Sequence, residues 1–279
     1  MKKLGTPSRR SGTRYRRIVG SFGTMDERIR EQWESNAQAF SALIAGKGTP
    51  HHRMILNPCV EKLLGDVQGK KLLDAGCGEG YLTRHYAKRG AIVTGIDLSQ
   101  RLIEMAKQLT EDESVEYKVD NLCRMKSIPN EVFDIVLSNL VLLNIPCLDE
   151  AISECHRVLK THGILVFSIV HPAFNFYGPG SWEIGEKDPE TRRREGLYFK
   201  VDRYFHEEEY QRYWRTREGE KFPEPISFFH RTLSTYLNSL LKAGFHLLEF
   251  AEPQPIDDDE FFDRERRIPF FAVFKAQKI

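Results

Sequence analysis

The 279-residue chain has no long apolar run and almost no excess of charge of either sign. Its longest apolar candidate, Ile164 to Val170, is far shorter than the roughly twenty residues that a membrane-spanning helix needs. No secretory hydrophobic segment follows Met1, so we expect neither a membrane span nor a secretory leader. The hydrophobic fraction of 41% fits a globular protein whose single large core needs no second domain.

Cysteine is scarce, and its few positions are scattered. The five cysteines are Cys59, Cys77, Cys123, Cys147 and Cys155, with no Cys-x-x-Cys spacing among them. This pattern argues against a disulfide framework and against a zinc site, and it favours a reducing, cytoplasmic location. The adjacent His51 and His52 would point in different directions, and the acidic run 257–260 lacks the spacing of a calcium loop. We therefore predict no metal site.

Acidic residues are missing from the start of the chain. Seven lysines and arginines precede Asp26, so residues 1–24 carry +7 and the remainder carries −6. A body of that charge is a poor non-specific binder of nucleic acid. The basic arm could be a nucleic-acid tail, a targeting peptide, or an upstream extension ahead of a functional start at Met25. We favour the extension and expect it to be disordered or weakly ordered.

The most informative pattern that is present is an apolar run that ends in an acid and alternate glycines. It reads Leu72-Leu73-Asp74-Ala75-Gly76-Cys77-Gly78-Glu79-Gly80. Glycine permits a sharp turn and a close ligand, and the helix that follows presents free N–H groups. The G-x-G-x-G spacing differs from the G-x-G-x-x-G of dinucleotide sites, and Asp74 would repel a pyrophosphate. An acid here suits a cofactor that carries an ammonium group and a sulfonium.

Three more apolar runs that end in polar residues follow this glycine turn. They are Ala91-Ile92-Val93-Thr94-Gly95-Ile96-Asp97, Val115-Glu116-Tyr117-Lys118-Val119-Asp120-Asn121-Leu122 and Phe133-Asp134-Ile135-Val136-Leu137-Ser138-Asn139. The first places Asp97 about twenty residues beyond the glycines, where a carboxylate could accept hydrogen bonds from ribose hydroxyls. The glycine turn and these three runs follow one another over residues 70–170. In this combination the chain resembles the class I S-adenosylmethionine-dependent methyltransferases, in particular small-molecule members of types 11 and 25.

The resemblance implies S-adenosylmethionine as cofactor and indicates which residues contact it. These are Asp74, Gly76, Cys77, Gly78, Asp97, Leu98, Asp120, Asn121, Leu122 and Ser138. In the family, the acid at the position of Asp120 contacts the adenine amino group. Cys77 is interpreted as a small residue that fills a tight space rather than as a nucleophile.

Strand-like and helix-like segments alternate between residues 71 and 170. We predict strands at 71–75, 91–96, 115–119, 132–138 and 163–170, and helices at 80–89, 100–109 and 148–159. In the tail we predict a helix at 230–243 and strands at 245–250 and 269–276. Apolar strands between amphipathic helices predict a doubly wound α/β fold with a mostly parallel sheet. The resemblance implies a Rossmann-like sheet of seven strands with an antiparallel last strand.

Ligands of such sheets bind beyond the carboxyl ends of the strands. The side chains on that rim would be Asp74, Asp97, Asp120, Ser138 and His171. A helix at 25–45 carries Ile29, Trp33, Ala37 and Phe40 on one face. It resembles the helix that covers the cofactor in small-molecule methyltransferases, although an ordinary packing helix would show the same pattern.

Residues 172–229 lack clear periodicity and are rich in large aromatics. These are Phe174, Phe176, Tyr177, Trp182, Tyr198, Phe199, Tyr204, Phe205, Tyr210, Tyr213, Trp214, Phe222, Phe228 and Phe229. A structureless loop of this length is improbable in a compact domain, so we predict a lid insertion, 173–229, within a methyltransferase domain of residues 25–279. As a group, the aromatics indicate an enclosed acceptor of apolar or aromatic character.

Methyl transfer from a sulfonium depends mainly on alignment and desolvation, and it needs a base only when the nucleophile holds its proton. His171 and His230 are the candidate bases, although either could instead shape or pack the chain. We expect a methyltransferase that acts on a small-molecule acceptor, without membrane or nucleic acid as partner. The alternatives are an RNA or protein methyltransferase, or a module that binds the cofactor without catalysis. Ser138-Asn139-Leu140-Val141 is unlike the N-P-P-Y motif of base N-methylation.

Overall fold

The computed structural model describes residues 14–16, 22–175, 178–190, 192 and 194–279. Most of the basic arm lies outside these residues, as do Phe176 and Tyr177 of the predicted lid. In chain order the strands are β1 (Arg14–Arg16), β2 (Lys71–Ala75), β3 (Ile92–Asp97), β4 (Glu116–Val119), β5 (Phe133–Asn139), β6 (Leu159–Val170), β7 (Gly180–Lys187), β8 (Arg194–Val201), β9 (Glu208–Arg212), β10 (Ile226–His230), β11 (Phe245–Ala251) and β12 (Phe271–Lys278). The helices are α1 (Phe22–Ile44), α2 (Asn57–Leu64), α3 (Tyr81–Lys88), α4 (Gln100–Gln108), α5 (Leu148–Val158) and α6 (Leu233–Lys242). A π-helical turn, His52–Leu56, leads into α2.

Seven strands form the central sheet, in the order β11-β12-β6-β5-β2-β3-β4. The strands from β2 to β6 are parallel, and β12 pairs antiparallel with both β6 and β11. Alternate residues of one strand pack into different hydrophobic clusters, since Leu73 lies in one and Leu72 in the other. Both faces of the sheet are therefore covered, which explains the near-continuous apolar strands. The predicted doubly wound fold is confirmed.

The aromatic-rich segment is not the irregular stretch that its sequence suggests. It contains a β7–β8 hairpin and a β9–β10 pair, and β1 adds to the free edge of β9. At least residues 14–16 of the basic arm are thus ordered as a strand, because β9 offers unpaired backbone groups. The predicted helix start at His230 was also wrong. His230 ends β10, and α6 begins at Leu233 behind Thr232, whose side chain accepts from the Thr235 N–H at 3.2 Å.

A disulfide joins Cys123 to Cys147, whose Cα atoms are 6.0 Å apart. This contradicts the expectation that the cysteines remain unpaired. The two residues belong to segments that follow β4 and β5, and such segments meet at the carboxyl edge of the sheet although 24 positions separate the cysteines. The other cysteines are unpaired. Within the described part of the chain, no helix has both the length and the apolar character to cross a membrane.

Candidate active site

A cleft lies beneath α1, at the carboxyl edge of β2 to β5. Nine of the ten predicted cofactor residues line it: Asp74, Gly76, Cys77, Gly78, Asp97, Leu98, Asp120, Asn121 and Leu122. Ser138 does not line it. Its side chain is fully buried and its hydroxyl donates to the Ala75 carbonyl at 3.1 Å, so Ser138 supports the turn from behind.

Gly76 and Gly78 are required in the turn for different reasons. Gly76 has φ +87°, and a Cβ there would collide with the Val141 side chain. Gly78 has φ +56°, and a Cβ there would extend toward Phe40 Cε1 at 3.1 Å, across the floor of the cleft. The first glycine therefore allows close packing of the loop that follows β5, whereas the second allows Phe40 of α1 to approach the backbone of the turn.

Asp74 is a buried acid at the base of this turn, with 2% of its surface exposed. Its Oδ2 accepts from the Thr83 hydroxyl at 2.6 Å, at the start of α3. Burial raises the pKa of Asp74 to about 6, although the Thr83 hydrogen bond works against the rise. The site thus holds a poorly solvated carboxylate, which a cationic ligand group would stabilise.

Asp97 ends β3 and connects two loops around the cleft. Its Oδ2 accepts from the Gly78 N–H and its Oδ1 from the Ser99 N–H, both at 2.9 Å. Burial raises its pKa to about 6, and these backbone hydrogen bonds offset part of that shift. The carboxylate both fixes the glycine turn and faces the cleft, where its remaining lone pairs can accept from hydroxyl groups.

The loop after β4 is held by its own polar side chains. Asp120 accepts from the Asn121 N–H at 2.7 Å and from the Ser127 N–H at 2.8 Å. The Asn121 amide donates to Asp26 of α1 at 2.9 Å. These bonds fix the cleft wall formed by residues 120–122 and tie it to the helix above.

Helix α1 forms the roof of the cleft. Its lining residues are Ile29, Trp33, Phe40 and Ile44. Glu34 accepts from the N–H groups of Gln100 and Arg101 at the N-terminus of α4, at 2.6 and 3.2 Å. Asn36 exchanges two hydrogen bonds of 3.0 Å with the backbone of Glu224. The helix is therefore attached to the sheet domain on one side and to the β9–β10 segment on the other.

An aromatic wall closes one end of the cleft. The ring centroids of Trp33 and Phe40 are 5.3 Å apart, and those of Phe40 and Trp214 are 6.4 Å apart. Among the described aromatics of the insertion, Trp214 is the one that lines the cleft. Most of the others pack elsewhere, as Tyr210 stacks on Phe228 in the core.

Neither predicted catalytic histidine lines the cleft. His171 is 3% exposed, its Nδ1 accepts from the Ala173 N–H at 3.2 Å, and its Nε2 lies 2.9 Å from Glu252 Oε1. His230 is also buried, with Nε2 2.8 Å from the Tyr204 carbonyl oxygen. Burial lowers the pKa of both rings, although Glu252 opposes the shift at His171. The structure thus places both side chains outside the cleft lining, and their catalytic role stays a prediction.

A different histidine, His52, lines the cleft. Its Nδ1 lies 2.7 Å from the Thr49 hydroxyl and 3.3 Å from the Thr49 nitrogen. The hydroxyl can donate or accept but the N–H can only donate, which favours the neutral tautomer with its proton on Nε2. Burial, reinforced by neighbouring His51, lowers the pKa of His52 to about 4. The ring packs edge-on against Tyr81 at 5.9 Å. The His-His pair was weighed only as a metal ligand, and nothing in its local sequence indicates that it reaches the cleft.

Tyr81 and Asn139 are two further polar residues of the cleft lining, beside His52. The Tyr81 hydroxyl lies 3.4 Å from both Asn57 Oδ1 and Asn139 Nδ2. Burial raises the pKa of Tyr81 above its ordinary value, so the phenol stays neutral. Asn139 is oriented by the Ser168 hydroxyl, which donates to Oδ1 at 2.6 Å. These neutral groups can recognise a ligand by hydrogen bonds without adding charge.

Known proteins with a similar sequence and a similar fold are methyltransferases, and the matching region includes the glycine turn and the parallel strands. Residues 73–167 match a family model described as "Methyltransferase domain". A putative S-adenosylmethionine-dependent methyltransferase of Listeria monocytogenes is 32% identical, with a TM-score of 0.66 over 80% of this chain and 96% of that one. One from Mesorhizobium loti is 26% identical, with a TM-score of 0.65 over 79% and 96%.

A shorter match links the chain to a named enzyme. The ubiquinone biosynthesis O-methyltransferase of Coxiella burnetii is 34% identical over 138 residues, which are 48% of this chain and 58% of the relative. On the full-length similarity to the Listeria structure, the chain belongs to the S-adenosylmethionine-dependent methyltransferases. It is an enzyme of the transferase class, and S-adenosylmethionine is its cofactor.

Proposed function

We propose that this enzyme methylates a small molecule with an apolar or aromatic body, which it holds in the cleft beneath α1. The observation that carries the proposal is the composition of the cleft wall. Trp33, Phe40 and Trp214 form one end of it, and no lysine or arginine is among the described lining residues. RNA would need basic groups near the reacting atom to neutralise phosphates. An apolar acceptor instead gains from aromatic contact area.

The residues around the cleft also fit the cofactor. The poorly solvated Asp74 carboxylate suits a ligand with a cationic group, and the remaining lone pairs of Asp97 suit hydroxyl donors. We assign Asp74 and the glycine turn to the amino-acid end of S-adenosylmethionine, Asp97 and Leu98 to its ribose, and residues 120–122 to its adenine. The order of these groups along the sheet edge supports the assignment. When bound, the cofactor supplies an activated methyl group.

The protein contributes alignment and exclusion of water rather than covalent chemistry. His52 lines the cleft, and with Nδ1 accepting from Thr49 its ring would offer an Nε2–H donor. That tautomer suits a ring that orients an acceptor oxygen by donating to it. The pKa of about 4 keeps this ring neutral at physiological pH. We therefore assign His52 a positioning role in place of His171 and His230.

The insertion 173–229 is proposed to cover the acceptor through its β9–β10 segment. Trp214 lies between these strands, and the Asn36–Glu224 hydrogen bonds connect the same segment to α1. Residues 25–279 would then act as one methyltransferase domain, with roof and lid held together. A cytoplasmic location remains a prediction from the sequence.

A panel of candidate acceptors tests the proposal through formation of S-adenosylhomocysteine. The panel contains apolar phenols, carboxylic acids, amines, RNA and a protein extract. The phenols come first because relatives named for ubiquinone biosynthesis are O-methyltransferases. We expect turnover with an apolar small molecule. Turnover with RNA or the protein extract alone would refute the proposal.

Trp214→Ala tests the aromatic wall once an acceptor is found. Loss of the ring should raise the KM of the acceptor by roughly tenfold or more, the scale for about 1.5–3 kcal/mol of aromatic burial. Cofactor affinity should stay within about twofold, because residues assigned to the cofactor are not altered. Tyr213→Ala is the matched control, since Tyr213 is 41% exposed and does not line the cleft. Equal effects of both substitutions would contradict the assignment.

A further inference from the structure

The bonded cysteines, Cys123 and Cys147, connect two walls of the cofactor cleft. Cys123 directly follows the cleft-lining Leu122, and Cys147 lies two positions after the cleft-lining Ile145. Their Cα distance of 6.0 Å lies within the range that disulfides span. We propose that Cys123 and Cys147 form a reversible dithiol–disulfide site that reacts with low-molecular-weight disulfides and controls how tightly the cleft binds its cofactor.

One side of the bond is coupled to the cleft through Asn121. The Cys123 N–H donates to Asn121 Oδ1 at 2.8 Å, and the Asn121 amide donates to Asp26 of α1. Asn121 also lines the cleft. A displacement of Cys123 therefore moves a cleft-lining side chain and its attachment to the roof helix.

The other side of the bond is already anchored. Arg231, a buried residue just after β10, donates to the carbonyl oxygens of Leu142, Ile145 and Pro146 at 3.1, 2.7 and 3.0 Å. The segment before Cys147 is thus held against the β10–α6 junction. The disulfide adds that rigidity to the loop after β4, which is otherwise held by its own hydrogen bonds and by bonds to α1 and α5. The oxidised form is the better organised one for binding.

One molecule of an external disulfide is sufficient to oxidise the two cysteines. The Cys123 thiolate, on the more exposed of the two residues, attacks the reagent and releases one thiol. Cys147 then displaces the second half of the reagent, so the pair gives two electrons and two protons to two released thiols. Asp26 offers a carboxylate oxygen within 4.8 Å of both sulfurs. Its negative charge disfavours the Cys123 thiolate that starts oxidation, and it repels the incoming thiolate that starts reduction. The exchange is therefore expected to be slow without excess reagent.

Cofactor affinity in the two redox states tests the inference on the full chain. After incubation with glutathione disulfide, alkylation under denaturing conditions and mass spectrometry should find Cys59, Cys77 and Cys155 modified and the other two of the five cysteines protected. After incubation with dithiothreitol, all five cysteines should be alkylated. Calorimetric titration with S-adenosylhomocysteine should give a Kd about three- to tenfold lower for the oxidised protein.

Variants separate this site from general thiol chemistry. Cys123→Ser and Cys147→Ser should bind with the affinity of the reduced protein in both conditions, whereas Cys59→Ser should keep the full redox response. Equal affinity of oxidised and reduced wild-type protein would overturn the proposal, and that comparison needs no variant to fold. Zinc that copurifies with the reduced protein and is lost in Cys123→Ser would also overturn it, since the cysteines would then be metal ligands. Loss of binding in both states would instead refute the cofactor assignment of the cleft.

Discussion

Asp74→Asn should stabilise the ligand-free protein while it weakens cofactor binding. Asp74 is 2% exposed, and burial raises its pKa to about 6. The hydrogen bond from Thr83 offsets only part of the cost of burying the charge. An asparagine keeps an oxygen for Thr83 and carries no charge that needs solvation. It also gives the ammonium group of the cofactor no opposite charge to face.

The magnitude of the stabilisation follows from the pKa. The pKa of Asp74 is about 6 in the folded protein and 3.8 in the unfolded chain. Above pH 6 the ionised carboxylate therefore lowers the free energy of unfolding by up to about 3 kcal/mol. Between these pKa values the folded chain binds more protons, so this group lowers the free energy of unfolding as the pH rises from about 4 to about 6. Asp74→Asn should gain about 1–3 kcal/mol near pH 7.5 and under about 1 kcal/mol near pH 4. The gain at neutral pH corresponds to roughly 2–10 °C in Tm.

Thermal unfolding at both pH values, together with calorimetric titration of S-adenosylhomocysteine, measures the two effects. The Kd should rise at least about tenfold, the scale for losing a hydrogen bond to a charged group. Asp134→Asn is a control of opposite sign, because hydrogen bonds from Lys160 and the Lys71 N–H outweigh burial and lower the pKa of Asp134. That variant should be destabilised at neutral pH. A lower Tm for Asp74→Asn near pH 7.5, or an unchanged Kd, would refute the reasoning.

Three further substitutions test other parts of the site. Asp97→Ala should weaken binding of S-adenosylhomocysteine by about 1.5–3 kcal/mol in calorimetry, and unchanged affinity would remove Asp97 from the site. Gly78→Val should abolish binding because its side chain would meet Phe40; a variant folded by circular dichroism that still binds normally would contradict the glycine-turn assignment. His52→Gln should lower turnover roughly tenfold or more, while His171→Gln, outside the cleft, should stay within about threefold of wild type. Equal losses would show that the position of the ring in the cleft does not matter.

Local sequence signals were sufficient for the strands of the central sheet and for the glycine turn. β2 has the predicted bounds because an apolar run followed by an acid and alternate glycines admits few other conformations. The nine cofactor residues that line the cleft lie at or just after the ends of neighbouring parallel strands. That placement follows once the strands are recognised, since all parallel strands end at one edge.

His171 shows why the same rule failed one strand further along. It follows β6, which lies beyond β5 and therefore two strands from β2 in the sheet order. The cleft lining comes from the ends of β5, β2, β3 and β4 and stops one strand short of β6. Ligands of doubly wound sheets bind where the strand order reverses, here between β2 and β5, so position along the edge matters as much as the edge itself. The order of strands is a tertiary property that no local pattern contains.

Trp214 and the disulfide depend on contacts across still greater separations in the chain. Trp214 reaches the cleft because the β9–β10 segment pairs with α1 through Asn36 and Glu224, and no spacing rule connects residues 188 positions apart. The cysteines meet because the segments after β4 and β5 share the edge that holds the cleft. Both features join the roof or walls of the cofactor site to neighbouring elements. The acids and glycines assigned to the cofactor therefore come from local motifs that the sequence reveals. The rigidity of the cleft, and the presence of His52 and Trp214 in it, depend on long-range contacts that no local motif contains.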